Sequence, residues 1–262
     1  MTQKIYQIDA FTDKIFSGNP AAVCPLNKWL NDDLMQNIAR ENNLSETVFY
    51  VKNGNKFDIR WFTPAIEVDL CGHATLAAAF VLFWYEGFSG DVIQFYSERS
   101  GKLSVERHDE MLTLNFPTDI IHEIETTSEI TSGFSIRPQA VFKGKTDYLL
   151  IYSTEQEIID IIPSFDIIKH WPVRGVIVTA PGKDVDFVSR FFAPQSGVDE
   201  DPVTGSAHTS LTPIWAQKLQ KTELSAIQLS ERRGYLNCTY LGDRVAISGK
   251  AKLFLKGEIY FD

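Results

Sequence analysis

Arg60-Trp61-Phe62-Thr63-Pro64 leads on to Asp69 and Gly72-His73-Ala74, and the pattern returns as Arg190-Phe191-Phe192-Ala193-Pro194, leading on to Asp199 and Gly205-Ser206-Ala207. The spacing from arginine to aspartate is the same in both copies, and the second then carries three more residues before its glycine. Each copy reads as an aromatic strand ended by a proline, an acidic loop, and a glycine that opens a helix. A duplication of this kind predicts two similar halves. Each half sets a helix N-terminus, with its unpaired N–H groups, toward a shared anionic ligand.

Working outward, the helix after the first copy, Ala74 to Tyr85, is apolar all round, as expected of a helix buried within its own domain. Before it, Lys4 to Ala10 alternates like a strand, Gly18-Asn19-Pro20 breaks the chain, and Ala21 to Cys24 reads as a short strand closing on Pro25. Asn31 or Asp32 caps a helix through about Glu41, and strands follow at Thr47 to Val51 and Phe57 to Thr63. Further strands are expected at Val92 to Phe95, Gly101 to Glu106 and Met111 to Phe116, and then a polar segment at Glu123 to Thr131. The second half repeats the plan, with a helix from Gly205 to about Leu219 and strands to Tyr260. The expected architecture is α+β: two pseudo-symmetric lobes, residues 1–118 and 119–262, each a curved, mostly antiparallel sheet or barrel around a central helix. The last strand, near 251–262, is a candidate for packing with the first lobe.

The 262 residues carry 34 acidic and 25 basic side chains, a net charge of −9, with the basic ones scattered. Nucleic acid and anionic membrane are therefore disfavoured as partners. No apolar run approaches the roughly 20 residues of a membrane span, and the start has no signal-peptide core, so a cytoplasmic protein is expected. Three cysteines, Cys24, Cys71 and Cys238, form neither an even set nor a C-x-x-C pair. The five histidines show no metal-ligand spacing, and metal dependence is not expected.

The loop Val198 to Ala207 places Asp199-Glu200-Asp201 directly before a helix start. Alone this is compatible with ordinary capping. Taken with Asp9-Ala10-Phe11-Thr12, Phe16-Ser17-Gly18-Asn19-Pro20-Ala21-Ala22-Val23, Leu44-Ser45-Glu46-Thr47 and Leu70-Cys71-Gly72-His73-Ala74-Thr75, it resembles the PhzF family, the phenazine-biosynthesis-like isomerases. These motifs occur in the family's order across nearly the whole chain.

The resemblance implies a diaminopimelate epimerase-like fold, with a cofactor-free active site in the cleft between the lobes, and a possible homodimer. It implies that Glu46 shuttles a proton, assisted by His73, Asp201 and Ser206. It also places Gly18, Asn19, Gly72, Ala74, Gly205 and Ala207 against a small carboxylate substrate.

Read from the residues alone, each position keeps a bland alternative. Glu46 can be a solvated strand-edge residue; if a cleft desolvates it, its pKa should rise, letting it take a proton from carbon and return one. His73 lies at a helix start, where the macrodipole disfavours the imidazolium, so a neutral histidine is expected, either packing or donating to an enolate oxygen. Asp201 can cap a helix, Ser206 can be an ordinary first-turn residue, and Gly18-Asn19 can be a simple turn.

Cys71 sits where two-cysteine racemases of this fold carry one thiol, but the matching place in the second copy is Thr204. A threonine hydroxyl is too weakly acidic to replace a thiolate. The function expected is a cofactor-independent isomerase moving a proton between carbons of a small carboxylate metabolite. The alternatives are an amino-acid racemase or epimerase using Cys71, and a non-catalytic ligand-binding protein on the same scaffold.

Overall fold

The alternation at the start of the chain builds β1 (Thr2–Ala10), which pairs antiparallel with β2 (Asn19–Leu26). The computed structural model describes residues 2–261. β2 is longer than the expected Ala21 to Cys24 and runs through two prolines. Pro20 precedes the start of its pairing with the next strand, and Pro25 lies beyond the end of its pairing with β1. Each proline thus has a neighbour on one side only, where a missing N–H breaks no ladder bond.

The helix α1 (Asp32–Asn42) follows, capped by Asn31, whose side chain accepts from the Leu34 N–H, and closed by Asn43 in the left-handed conformation. Then come β3 (Glu46–Asn53), β4 (Lys56–Phe62), the two-residue β5 (Glu67–Val68), the central helix α2 (Gly72–Trp84), β6 (Val92–Ser97), β7 (Gly101–His108) and β8 (Met111–Pro117). α2 starts two residues earlier than its apolar run suggested, with Gly72 and His73 inside the helix, and it ends earlier, at Trp84. Every residue from His73 to Phe83 is buried, which accounts for a helix apolar on all sides. It packs against β1, β2, β3 and β7. Leu76, fully buried there, is a position where truncation to alanine costs about 3 kcal/mol.

The polar segment at Glu123 to Thr131 overlaps β9 (His122–Ile124), which pairs with a later strand, and contains the short helix α3 (Ser128–Thr131). β10 (Ala140–Lys143), β11 (Asp147–Ile151), α4 (Glu155–Asp160), α5 (Phe165–Ile168), β12 (Gly175–Pro181) and β13 (Phe187–Phe192) lead to the second central helix, α6 (Gly205–Leu219). α5 was not anticipated; four residues are too few for a helical period to show. β14 (Glu223–Gln228), β15 (Gly234–Tyr240), β16 (Arg244–Gly249) and β17 (Ala251–Tyr260) complete the chain, and β17 pairs antiparallel with β1.

The chain forms two compact units, one of Met1–Asn115 with Ser248–Asp262, the other of Phe116–Ile247. The two units share one plan. In the first, β2–β3 is parallel, β3–β4 antiparallel, β4–β6 parallel and β6–β7 antiparallel. In the second, β11–β12, β12–β13, β13–β14 and β14–β15 run through the same alternation. Helices occupy the parallel crossovers in both, as such connections require. The fold is α+β and two-lobed.

α6 accommodates Pro213 in its interior. Proline cannot donate to the carbonyl four residues back, and that carbonyl, of Thr209, instead accepts from the Asp119 N–H at 3.3 Å. Among the described residues no helix is long and apolar enough to cross a membrane.

Candidate active site

The buried α2 delivers its first turn to a fixed place because its N-terminus is pinned. The Trp61 indole donates to Thr75 Oγ1 at 3.1 Å, and that hydroxyl donates to the Cys71 carbonyl at 2.6 Å. Cys71 is the N-cap, extended at φ −142° and ψ 114°, and it makes no side-chain capping bond. Glu46 opens β3, in register with Ala21 of β2. Asn19 opens β2 at a fully buried position.

These three elements bring four of the residues singled out from sequence into one cluster. His73, only 4% exposed, lies with Nε2 3.1 Å from Glu46 Oε2. Its Nδ1 is 3.2 Å from the Asn19 amide nitrogen and 3.4 Å from Cys71 Sγ. The Glu46–His73 separation is that of an ion pair, but neither Oε2 nor Nε2 makes a directed hydrogen bond, and both atoms are sealed from solvent. Buried polar atoms with unused hydrogen-bonding capacity are uncommon, and at such a site they mark a place for a ligand.

The electrostatics of the cluster run against the expectation of a neutral His73. Burial acts to lower its pKa, but the neighbouring groups outweigh burial and hold it well above the ordinary histidine value. Cys71 is pushed up to about 11, by burial first and by the Glu46 carboxylate second, so at neutral pH it is an uncharged thiol. The groups that raise His73 are Cys71 first and Glu46 second, each through its charge and through a hydrogen bond to the ring. A full carboxylate charge in contact with a buried ring outweighs the partial charge of a helix end.

Of the remaining residues in this unit, Gly72 and Ala74 lie in the first turn of α2, where amides have no intrahelical partner. Gly18 ends the loop before β2 at φ +67°, and a Cβ there would meet the Ala10 carbonyl oxygen at 2.1 Å. Its glycine is accounted for by the turn itself.

In the second unit, Asp201, Gly205, Ser206 and Ala207 gather at the start of α6. The N-cap there is Thr204, again extended and again without a side-chain capping bond. Its hydroxyl donates to Asp201 Oδ2 in a short hydrogen bond. Ser206 is exposed, and its Oγ accepts from Arg174 Nη2 at 2.9 Å. The same guanidinium is clamped by Asp147 through Nε, at 3.0 Å, and through Nη2.

His208 lies four residues after Thr204 and is fully buried; it shares Nδ1 with the Thr204 carbonyl at 2.9 Å. Burial drives its pKa down to about 4, so it is neutral, and it donates from Nδ1.

Sequence reading missed Gln228. It is fully buried, and its Oε1 accepts from the Thr204 N–H at 2.8 Å while its Nε2 donates to the Asp201 carbonyl at 2.7 Å. The signal lay in β14, whose alternation places Leu224, Ala226 and Gln228 on the inner face. A polar residue at an inward strand position has to be satisfying a neighbour.

The repeated arginines are structural. Arg60 forms a bidentate pair with Glu67 at 2.7 and 2.9 Å, and Arg190 forms one with Glu200 at 2.8 and 2.9 Å. Each also lies over the aromatic ring two residues on, Phe62 at 5.2 Å and Phe192 at 4.8 Å.

Capping separates the helices by role. α1, α3 and α4 are each capped by a side chain, of Asn31, Thr127 and Thr154 respectively. α5 lacks a side-chain cap but carries Asp166 in its first turn; the two central helices have neither a side-chain cap bond from the N-cap residue nor an acidic residue in the first turn. Their leading amides are thus suited to an anion.

The sequence pattern of the phenazine biosynthesis-like protein family matches residues 8–257. Two uncharacterized isomerases of Pseudomonas aeruginosa are similar to this chain, 52% and 49% identical over 260 residues, which is 99% of this chain and 99% and 100% of theirs. The crystal structure of a phenazine biosynthesis protein of the PhzF family from Enterococcus faecalis matches with a TM-score of 0.97 at 46% identity, covering all of both chains. The chain belongs to the phenazine biosynthesis-like (PhzF) family, and it is an enzyme of the isomerase type.

Proposed function

We propose that this member of the PhzF family is a cofactor-independent isomerase that moves a proton between two carbons of a small, soluble, carboxylate-bearing metabolite. The observation that carries this reading is the buried Glu46–His73 pair at 3.1 Å, with hydrogen-bonding capacity unused on both atoms, beside a thiol that stays protonated. Glu46 is the base and then the acid. Its carboxylate takes the proton from one carbon, leaving a delocalised anion, and the carboxyl so formed returns that proton to a second carbon.

His73 gives this exchange its driving force. While Glu46 is ionised, the imidazolium is neutralised by it. When Glu46 accepts the proton, its charge disappears and the imidazolium is left facing the new substrate anion. The site therefore binds the intermediate more strongly than the substrate, which is the condition for catalysis. The first-turn amides of Gly72 and His73 add donors for the substrate's carboxylate or enolate oxygens, while that of Ala74 interacts with Cys71. For Asp201 and Ser206 we keep the substrate-orienting role that the family motif implies. A cytoplasmic setting is supported by three free, buried cysteines, and a homodimer by the family resemblance.

The test is solvent labelling. The protein is incubated in heavy water with a panel of small carboxylic acids bearing acidic C–H bonds, and products are read by mass and by proton resonance. The expected outcome is deuterium at carbon in at least one turned-over acid, abolished by Glu46→Gln. Turnover without label, together with an unimpaired Glu46→Gln variant, would falsify the proposal.

A further inference from the structure

We propose that Glu46, Cys71 and His73 also form a capture site for a thiophilic divalent cation of the zinc class, and that its occupation reversibly silences the enzyme. One donor atom from each of the three lies within 4.8 Å of the other two, and among the described residues they are the group with this property. The set of one sulfur, one imidazole nitrogen and one carboxylate oxygen is drawn from the ligands zinc prefers, with a fourth position left for water or an anion. Cys71 Sγ and His73 Nδ1 are 3.4 Å apart, and His73 Nε2 and Glu46 Oε2 are 3.1 Å apart. Two ligands of tetrahedral zinc, at bond lengths near 2.0 to 2.3 Å, are separated by about 3.3 to 3.6 Å. The two spacings involve different nitrogens of the ring, so the ion takes one nitrogen and a side-chain rotation of Cys71 or Glu46 brings in the third donor.

A second observation points the same way. His73 Nε2 and Glu46 Oε2 are buried and, apart from their 3.1 Å contact with each other, lack directed hydrogen bonds, so a cation there takes up bonding capacity that the pair leaves unused. The exchange balances in protons. The ion displaces the thiol proton of Cys71 and the proton on the ring nitrogen it binds, and both pass to solvent. Magnesium and calcium, which favour all-oxygen sites, are excluded by the sulfur donor. Silencing rests on the isomerase reading above, since the ion occupies the carboxylate lone pair that Glu46 would use and removes the positive charge that His73 would supply as an imidazolium.

Binding is tested without reference to turnover. Chelator-treated full-length protein is titrated with Co²⁺ as a spectroscopic substitute for Zn²⁺, following the tetrahedral visible bands and the thiolate-to-cobalt charge-transfer band. The expected result is saturation near one equivalent, displacement by Zn²⁺ but not by Mg²⁺, and loss of the charge-transfer band in Cys71→Ser. His73→Gln and Glu46→Gln should each bind at least about tenfold more weakly. The absence of a saturable spectrum in the wild type, or a charge-transfer band that persists in Cys71→Ser, overturns the site. If Cys71→Ser does not fold, undiminished affinity in both other variants does the same. Full turnover at saturating Zn²⁺ would overturn silencing alone, and an isomerase assay that fails altogether leaves the cobalt result standing.

Discussion

The two copies of the repeat place the same backbone in the same fold and fill it with opposite chemistry. In the first, the N-cap residue and the helix positions two and four beyond it are Cys71, His73 and Thr75; in the second they are Thr204, Ser206 and His208. Both fourth positions serve the same purpose, since Thr75 Oγ1 and His208 Nδ1 each bond the carbonyl of their own N-cap residue, at 2.6 and 2.9 Å. The two histidines then part company. His73 has a carboxylate against it and is held protonated; His208 has only a carbonyl and apolar neighbours, and is held neutral. Burial is the same for both and pushes both the same way, so what separates them is the neighbouring charge. The first copy holds a buried carboxylate–imidazole pair, and the second a network of hydroxyls, an amide, the Asp201 carboxylate and a neutral ring.

The sharpest way to break that contrast is to remove the base from the first copy. Glu46→Gln keeps the shape and abolishes the carboxylate, and it should lower turnover and solvent-deuterium incorporation by about 10³-fold or more. An equal loss from Ser206→Ala, measured in the same assay, would place the proton transfer in the second copy and sink the asymmetry.

The next effect is on stability and concerns His208. Its folded pKa, about 4, lies below the unfolded value of about 6.5. Above pH 6.5 the ring is neutral in both states, and its contribution is complete. As pH falls from 6.5 toward 4 the unfolded chain takes up a proton that the folded one refuses, so stability is lost through this window by up to about 3 kcal/mol. Denaturant titrations across this range should show that slope, and His208→Gln should flatten it. A slope unchanged in the variant would show that His208 is not the group responsible.

A smaller loss is expected from Gln228→Leu, which strands the Thr204 N–H and the Asp201 carbonyl. Chemical denaturation should register about 2 kcal/mol of destabilisation. If Thr204 is held by α6 alone, the variant will melt with the wild type.

The smallest effect is reserved for Cys71→Ser. Because the thiol is uncharged at neutral pH and the second copy has Thr204 at the matching sequence position, we expect turnover to fall by less than about tenfold, from altered packing around His73. A two-thiol racemase would lose activity almost completely.

Much of this was legible before any coordinates. An apolar helix with no polar face had to be central, the repeated Arg-aromatic-aromatic strands announced the duplication, and the glycine of each copy marked a helix start within two residues. β9, an exposed strand set within a polar stretch, was not legible, because its three residues are held by pairing with β10 rather than by their own pattern. The full length of β2 was hidden too, since whether a proline interrupts a strand depends on which side has a neighbour.

The site divides along the same line. Glu46, His73, Cys71 and Asn19 could each be named from motif resemblance, but not that Asn19 presents its side chain to the His73 ring. The three-residue excess of the second copy was visible, but not its use: Arg60 is clamped by Glu67, before the shared aspartate, and Arg190 by Glu200, after it.

The sequence by itself determined the duplicated plan, the two buried helices and the identities of the residues at their starts. Those follow from periodicity and composition, which are properties of neighbours along the chain. Only the tertiary structure decided which of those residues carry charge. A helix-start histidine is neutral by local rules, and its pKa is raised here because Cys71 Sγ lies 3.4 Å from one ring nitrogen and a carboxylate from a strand 27 residues earlier arrives 3.1 Å from the other, at a buried position. Electrostatic energy depends on distance and on surrounding dielectric, and neither exists until the chain has folded.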